Sequence, residues 1–425
     1  MFYIRGFAGK KIYFIHNPKL LAMPDKSKPT IALTGATGFL GSHLMASLLS
    51  NGYSVIILGR ATKDETLYER ISKLLRWFGI ENQFNQITCV EADFSKDNLG
   101  LENEAYTGLC SVVDAVIHCA SDTSFSESKR EKVMAANIGG LKGILEFSKN
   151  SHADIFHYIS TAYIAGNGET NCREIPSAAK TYTNVYEESK AGAENIIAGF
   201  CEKNSIHLSI IRPSIVYGDS RSGRSLKFNA LYFPVRSMQS IKDIYLNDLN
   251  NNGGEKSSKH GIHINNDGYL FLPLKIYLPH TGSINLIPVD YFVKATLKII
   301  ENCSQGGIFH LTTNSPTTLE TLTAYNAQFM KIKGVEILYG KSPEQGLRNP
   351  AEELFDRFIE PYRPYLSDNR IFDRTHTDLV TGNLNPPEFT YEIFKNCMQY
   401  AIGVNWGALI FAEESIKAYH VKMLS

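Results

Sequence analysis

Short apolar runs alternate with stretches of helical spacing from Thr30 onward. The run IALTG (31–35) leads into a glycine-rich turn, HLMASLLSNG (43–52) carries apolar residues at helical spacing, and VIILGR (55–60) reads as a second strand. The alternation recurs at ITCVEAD (87–93), VVDAVIHCAS (112–121), DIFHYISTAY (154–163) and HLSIIRPSIVYG (207–218). Apolar strands separated by helices predict an α/β fold, a doubly wound parallel sheet covered on both faces. The regularity breaks after Gly218. Segment 238–268, which carries NDLNNNGGEKSSKHG, is expected to form a mobile loop or insertion. Patterning returns at SINLIPVDYFVKATLKIIEN (283–302), where Asp290 can cap a helix, and at the strand-like GIFHLTT (307–313). Residues 1–28 mix basic and aromatic residues and are expected to be an arm outside the main fold. The chain thus divides into the arm, a sheet domain (29–218, with 283–313 returning to it) and a smaller, mixed C-terminal lobe (219–282 and 314–425).

Composition removes several classes of function. The 425 residues hold 43 basic and 43 acidic side chains, so no net field draws the protein to nucleic acid or to an anionic membrane surface. With 43% hydrophobic and 20% charged residues the chain has the make-up of a folded protein. Its seven cysteines (Cys89, Cys110, Cys119, Cys172, Cys201, Cys303 and Cys397) are odd in number and form no C-x-x-C pair. They read as reduced thiols, and no metal site is read. No apolar run reaches the roughly 18 residues that a membrane span needs, and the N-terminus lacks the pattern of a secretory signal. A soluble, cytoplasmic protein is expected.

TGATGFLG places Gly35, Gly38 and Gly41 in a G-x-x-G-x-x-G turn between the first strand and the first helix. Glycines let the backbone approach a pyrophosphate, and the helix N-terminus offers free N–H groups and the positive end of its dipole. The strand-turn-helix-strand context makes this a dinucleotide-binding turn, with Thr37, Phe39 and Leu40 completing the cradle. Where an NAD-specific protein presents a carboxylate to the ribose, this chain reads LGR. Arg60 therefore points to a 2′-phosphate, unless it is simply an exposed surface arginine, and Lys63 either assists it or is solvated. Asp93, ending the third strand with Phe94 beside it, either accepts a hydrogen bond from adenine or caps the next element.

Tyr186 and Lys190 in YEESK lie four apart, so a helix projects both from one face. Spacing alone does not single them out, because Tyr391 and Lys395 share it. Context does: Thr161 closes the apolar strand DIFHYIST upstream, at the sheet edge where open parallel sheets bind ligands. Hydride delivery to a carbonyl builds negative charge on oxygen. A proton donor (Tyr186) and a second hydroxyl (Thr161) would meet that charge. The Lys190 ammonium is expected to lower the phenol's pKa and to hold the nicotinamide ribose.

These residues resemble the extended short-chain dehydrogenase/reductase superfamily, closest to its thioester reductase and fatty acyl-CoA reductase branch with a male-sterility-type NAD-binding domain. The passages that carry the resemblance are DFSKDNLGL (93–101), VIHCASDTSF (116–125), AANIGGLKGILEFSK (135–149), ISTAYIAG (159–166), VYEESKAGAE (185–194), RPSIVYGDSRSG (212–223) and INLIPVDYFVKA (284–295). It implies a Rossmann-type fold, NADP(H) and a Thr161–Tyr186–Lys190 active site. It also implies cofactor contacts from His118, Cys119, Ala120, Asn137, Pro213, Ser214 and Ile215, and a lobe that admits an acyl chain with its carrier. The expected reaction is reduction of an acyl thioester to the aldehyde, or on to the alcohol. With no adenylation or carrier segment read in the chain, the thioester is expected from CoA or from a separate carrier protein. A nucleotide-sugar epimerase, a hydroxysteroid-type dehydrogenase and a non-catalytic NADP-binding module are the alternatives.

Overall fold

The computed structural model describes residues 28–166, 170–340 and 348–411, together with the backbone of two N-terminal strands, Phe2–Arg5 and Lys11–Phe14. Seven parallel strands form the central sheet. In spatial order they are Ile87–Glu91, Ser54–Gly59, Thr30–Thr34, Ala115–His118, Ile155–Ile159, His207–Pro213 and Gly306–Leu311. The order reverses between Thr30–Thr34 and Ala115–His118, which creates the crevice where a doubly wound sheet takes a ligand. Alternate residues of one strand bury against opposite layers. Ile31 and Leu33 join the core on one face and Ala32 the core on the other, which is why these strands are apolar throughout. Helix Val289–Asn302 packs beside helix Phe39–Ser50, and Gly306–Leu311 then pairs with His207–Pro213, so the chain returns to the sheet after the lobe.

Two expectations are corrected. Within the segment expected to lie outside the fold, Phe2–Arg5 and Lys11–Phe14 form an antiparallel hairpin. Lys11–Phe14 pairs with the sheet edge at Ile87–Glu91. FYIR and KIYF have strand-forming composition, and an edge strand offers them unpaired backbone groups. The second correction concerns 238–268. Helix Tyr232–Asn251 runs through its first half and buries Val235, Met238, Ile241 and Tyr245 on one face. The Asp248 carboxylate accepts from the Ser257 N–H (2.7 Å) and hydroxyl (2.6 Å), tying the polar stretch down onto the short helix Glu255–Lys259.

The lobe is built from helix Tyr232–Asn251, a small sheet in which Leu270–Leu278 pairs with Ile332–Tyr339, and helices Leu319–Met330, Pro350–Ile359 and Tyr391–Gly403. Asn349 and Glu352 form a capping box at the start of Pro350–Ile359, and the Thr318 hydroxyl caps Leu319–Met330. Among the described residues no helix is long and apolar enough to cross a membrane, and all seven cysteines are free thiols.

Candidate active site

At the reversal point the glycine turn lies directly against the next strand. Gly35 has φ of +74°, and a Cβ there would come 2.6 Å from the Ala120 nitrogen. A Cβ on Gly41 would collide with the Gly35 carbonyl oxygen, so the turn closes only with glycine at both positions. Helix Phe39–Ser50 begins at Gly38 with no side-chain cap and no acidic residue in its first turn. Its N–H groups are therefore available to an anion.

The strand after the turn is fixed by Thr34. Its hydroxyl accepts from the N–H groups of Cys119 and Ala120 (3.2 Å each), which leaves its own proton for His118 Nδ1 at 2.9 Å. Burial, with the nearby Lys190 charge, pushes the His118 imidazole down to about 3. It is a neutral ring stacked on Tyr158, with centroids 5.9 Å apart. His118 and Ala120 stand behind the cavity wall instead of forming it, and Cys119 reaches the surface of the cavity. Burial raises the Cys119 thiol to about 11, so it stays protonated.

Thr161 follows strand Ile155–Ile159 and caps the turn Ala162–Ala165, its hydroxyl accepting from the Tyr163 N–H at 3.3 Å. Tyr186 lies in the first turn of helix Val185–Lys203, which Asn184 caps. The Thr161 hydroxyl lies near the Tyr186 phenol and favours its ionised form. Lys190, one turn on and 2% exposed, donates to the Ile159 carbonyl (2.6 Å) and the Tyr158 hydroxyl (3.2 Å). Burial lowers its ammonium to about 8. The expectation that Lys190 depresses the phenol is corrected. Burial dominates at Tyr186 and pushes its pKa up, while the nearby Thr161 hydroxyl pulls only partly against it. The phenol is therefore neutral and has a proton to give.

One cavity of about 650 Å³ joins these groups. It opens at Gly35, Gly38, Phe39, Leu40 and Gly41, passes Cys119, Thr161, Tyr186, Lys190, Pro213, Ser214 and Ile215, and continues into the lobe. The charged residues lining it are Lys129, Lys190 and Lys227, with no carboxylate among them. Such a lining complements a ligand that carries phosphates. Tyr391 and Lys395 are elsewhere: Tyr391 packs on Tyr325, and Lys395 pairs with Glu392.

The remaining expected contacts lie outside that cavity. Thr37 belongs to the glycine turn but does not line it. Arg60 and Lys63 are exposed beyond the end of strand Ser54–Gly59. Arg70 donates to the Arg60 carbonyl at 3.0 Å, and the two guanidiniums act on each other. The Asp93 carboxylate accepts from the Ser95 N–H (3.2 Å) and hydroxyl (2.6 Å), so it caps its own turn, and Phe94 packs over Gly140. The Asn137 amide is occupied by Ser121, both backbone groups of Asp122, and the Ser189 hydroxyl. It holds the loop after Cys119 against the Tyr186 helix.

Sequence reasoning passed over Thr34, Arg70, Phe125, Tyr158 and Tyr365. Tyr158 lies on the strand that Thr161 follows, three residues before it, and Arg70 stands ten after Arg60, but nothing in either spacing marks a site without the fold.

The sequence matches the family model described as male sterility protein over residues 33–296, more than half of the chain. It is 24% identical over 387 residues to the nonribosomal peptide synthetase asaC of Aspergillus flavus, covering 84% of this chain and 34% of that protein. It is 27% identical over 308 residues to an L-2-aminoadipate reductase of Schizosaccharomyces pombe, covering 68% of this chain and 19% of that protein. The chain spans about a third or less of the curated relatives it matches. Among solved structures it is similar to the terminal R domain from the myxalamid PKS-NRPS pathway, with a TM-score of 0.67, 21% identity, and 89% and 91% of the two chains covered. It is also similar to UDP-glucuronic acid 4-epimerase from Bacillus cereus in complex with NAD, with a TM-score of 0.60, 15% identity, and 90% and 100% covered. Both are likenesses of fold. On the family match, the chain belongs to the male sterility protein family, a family of NAD-binding domains.

Proposed function

We propose that the protein reduces an acyl thioester, carried by CoA or a carrier protein, with NADPH to give an aldehyde and a free thiol. The cofactor, when bound, supplies hydride to the thioester carbonyl carbon. The chain supplies placement and protons. The Gly35–Gly41 turn and the uncapped helix behind it suit a pyrophosphate. Arg60 and Arg70, two guanidiniums at the end of the second parallel strand, suit a 2′-phosphate. Asp93, already engaged with Ser95, offers adenine little.

Negative charge then builds on the carbonyl oxygen, where the hydroxyls of Thr161 and Tyr186 stabilise it and the neutral phenol gives its proton. A positioned proton donor of this kind contributes roughly 10²–10⁴-fold in rate. Lys190 holds the backbone of the Thr161 strand through Ile159 and stands ready for the nicotinamide ribose. When the hemithioacetal collapses, its hydroxyl proton returns to the Tyr186 phenolate, the C–S bond breaks, and the departing thiolate takes a proton from solvent. A second hydride transfer at the same site would carry the aldehyde to the alcohol.

One observation carries this reading: the Thr161–Tyr186 pair and Lys190 open onto the same cavity as the glycine turn, and that cavity runs on into an apolar lobe. Apart from Lys227, Asn229, Thr323, Asn326 and the phenols of Tyr362 and Tyr365, the lobe residues that line it are apolar. An aliphatic acyl chain suits that wall better than an aminoacyl or peptidyl group, whose amides and charges would be left unpaired.

The test is a panel of thioesters of varied chain and carrier, followed by loss of NADPH absorbance. Acyl-CoA or acyl-carrier turnover with release of free thiol is expected. Arg60→Ala should raise the KM for NADPH about tenfold, the worth of one phosphate contact of about 1.5 kcal/mol, and leave NADH nearly unaffected. Flat traces with acyl-CoA, acyl-carrier and aldehyde would overturn the reading. Turnover of a UDP-sugar without net NADPH loss would select the epimerase.

A further inference from the structure

Glu187, the neighbour of Tyr186, is a carboxylate with no exposed surface that the proposed chemistry does not use. Its hydrogen-bond donors are neutral groups. The Tyr365 hydroxyl donates to Oε1 at 2.6 Å, and the Thr183 N–H donates to Oε2 at 3.0 Å. Tyr365 comes from the far end of the chain. Its hydroxyl also accepts from Asn184 Nδ2 at 2.6 Å, and Asn184 Oδ1 in turn caps the helix by accepting from the Glu187 N–H at 3.1 Å. These bonds close a ring around the first helical turn, the turn that carries Tyr186.

The Tyr365 ring completes the junction. Phe125 packs on Tyr186 and on Tyr365, with centroids 5.9 and 5.5 Å away, and the edge of Tyr163, two residues past Thr161, meets Tyr365 at 5.2 Å. Tyr365, Phe125 and Tyr186 all line the cavity. The segment behind Tyr365 is anchored separately. Ile371–Phe372 pairs with Asn171–Cys172, and Arg370, doubly bonded to Asp368, lies over the Tyr163 ring at 4.6 Å.

We propose that Tyr365 is a positioning residue for Tyr186: through Asn184 and Glu187 it fixes the first turn of the Tyr186 helix, and it thereby ties the aim of the phenol to the lobe segment that a substrate touches. This rests on the reading of Tyr186 as proton donor. A chemical step with a positioned donor is sensitive to misplacement of about an ångström, while ground-state binding in the lobe is not. The consequence is a loss in kcat with little change in KM.

The test compares Tyr365→Phe, which removes only the hydroxyl, in the wild-type and Tyr186→Phe backgrounds. In the wild-type background kcat is expected to fall about tenfold with KM within twofold. In the Tyr186→Phe background the further loss should be under twofold, because the residue acts through that phenol. Asn184→Ser keeps a helix cap but removes the amide donor to Tyr365, and it should reproduce the effect where Tyr365→Phe folds poorly. An equal loss in both backgrounds, or a change in KM alone, would overturn the proposal. A substrate-free readout separates it from the thioester reading. With 3-fluorotyrosine at position 186, Tyr365→Phe is expected to shift or split the ¹⁹F resonance, and an unchanged resonance refutes the link whatever the substrate proves to be.

Discussion

Around the central sheet, Leu33, Val116, Ile117 and Phe156 pack with no exposed surface, whereas in the lobe side chains of the same kind enclose open space. Ile241, Leu272, Leu274 and Met398 are buried as completely as the sheet residues. Yet the elements they belong to surround the deep half of the cavity. A filled core holds the groups at its rim in one place, because each layer fixes the next. A hollow apolar core sets no such constraint on what fills it and gains from each methylene that does. The difference separates two tasks. In the proposed reaction, hydride-transfer geometry would belong to the sheet edge, and selection of the acyl group to the lobe.

The largest test of that division is Tyr186→Phe. If the phenol supplies the proton, kcat/KM should fall about 10³-fold, and by the same factor for short and long acyl thioesters. NADPH affinity, followed by its fluorescence, should change far less. A loss that depended on chain length would place Tyr186 among the residues that select the substrate and would break the comparison.

The two regions also differed in what the sequence disclosed. Parallel strands buried on both faces are written as unbroken apolar runs, so IALT, VIIL and AVIH were plain, and the glycine turn stood out because only glycine fits beside Ala120. Thr161, Tyr186 and Lys190 were legible because a strand end and a helical i, i+4 pair both have local signatures. The lobe was not. Helix Tyr232–Asn251 hides its apolar face among serines, asparagines and charges, and the polar NDLNNNGG tract reads as a loop until Asp248 is seen bonded to Ser257. Asp93 and Arg70 show a further limit. Whether a carboxylate caps its own turn, or a second arginine reaches the first, is decided by backbone direction, which no spacing rule carries. The strands at Phe2–Arg5 and Lys11–Phe14 needed a free sheet edge to give their composition a partner.

Within the filled region, one buried ion pair ties the Tyr186 helix to the sheet. Arg212, 2% exposed, donates to both oxygens of Glu194 at 3.1 and 2.6 Å, and also to the Ile175 carbonyl at 2.9 Å. Glu194→Gln leaves that guanidinium buried without its counter-charge, so urea unfolding should show a loss of about 3 kcal/mol. A loss below about 1 kcal/mol, the range of exposed pairs, would mean that the sheet half is less tightly determined than its packing implies.

Acidity offers a smaller and reversible perturbation of the same region. Lys190 is held near 8 by burial, so the side chain is an ammonium below that pH and an amine above it. As pH rises through 8, the charge that anchors Tyr158 and Ile159, and that the proposed reaction sets against the ribose, is lost. kcat/KM should then fall up to tenfold for each further pH unit. Lys190→Arg keeps its charge through this range, so whatever activity it retains should show no decline near 8. An alkaline limb that stayed at 8 in that variant would trace the titration to another group.

The smallest effect is the sharpest on the comparison itself, because its sign should differ between the two regions. Ala32 lies on the sheet with no exposed surface, and Ala327 lines the lobe cavity. Ala32→Leu forces three carbons into a filled layer and should cost about 1–3 kcal/mol through displaced rotamers and backbone. Ala327→Leu adds the same three carbons where open space already exists, so thermal melts of the free protein should show a gain of about 1 kcal/mol. The same substitution shortens the space for an acyl chain, and the preferred thioester should become shorter as stability rises. If Ala327→Leu destabilised the protein as Ala32→Leu does, the lobe would be closed in solution, and the acyl chain would have to lie elsewhere.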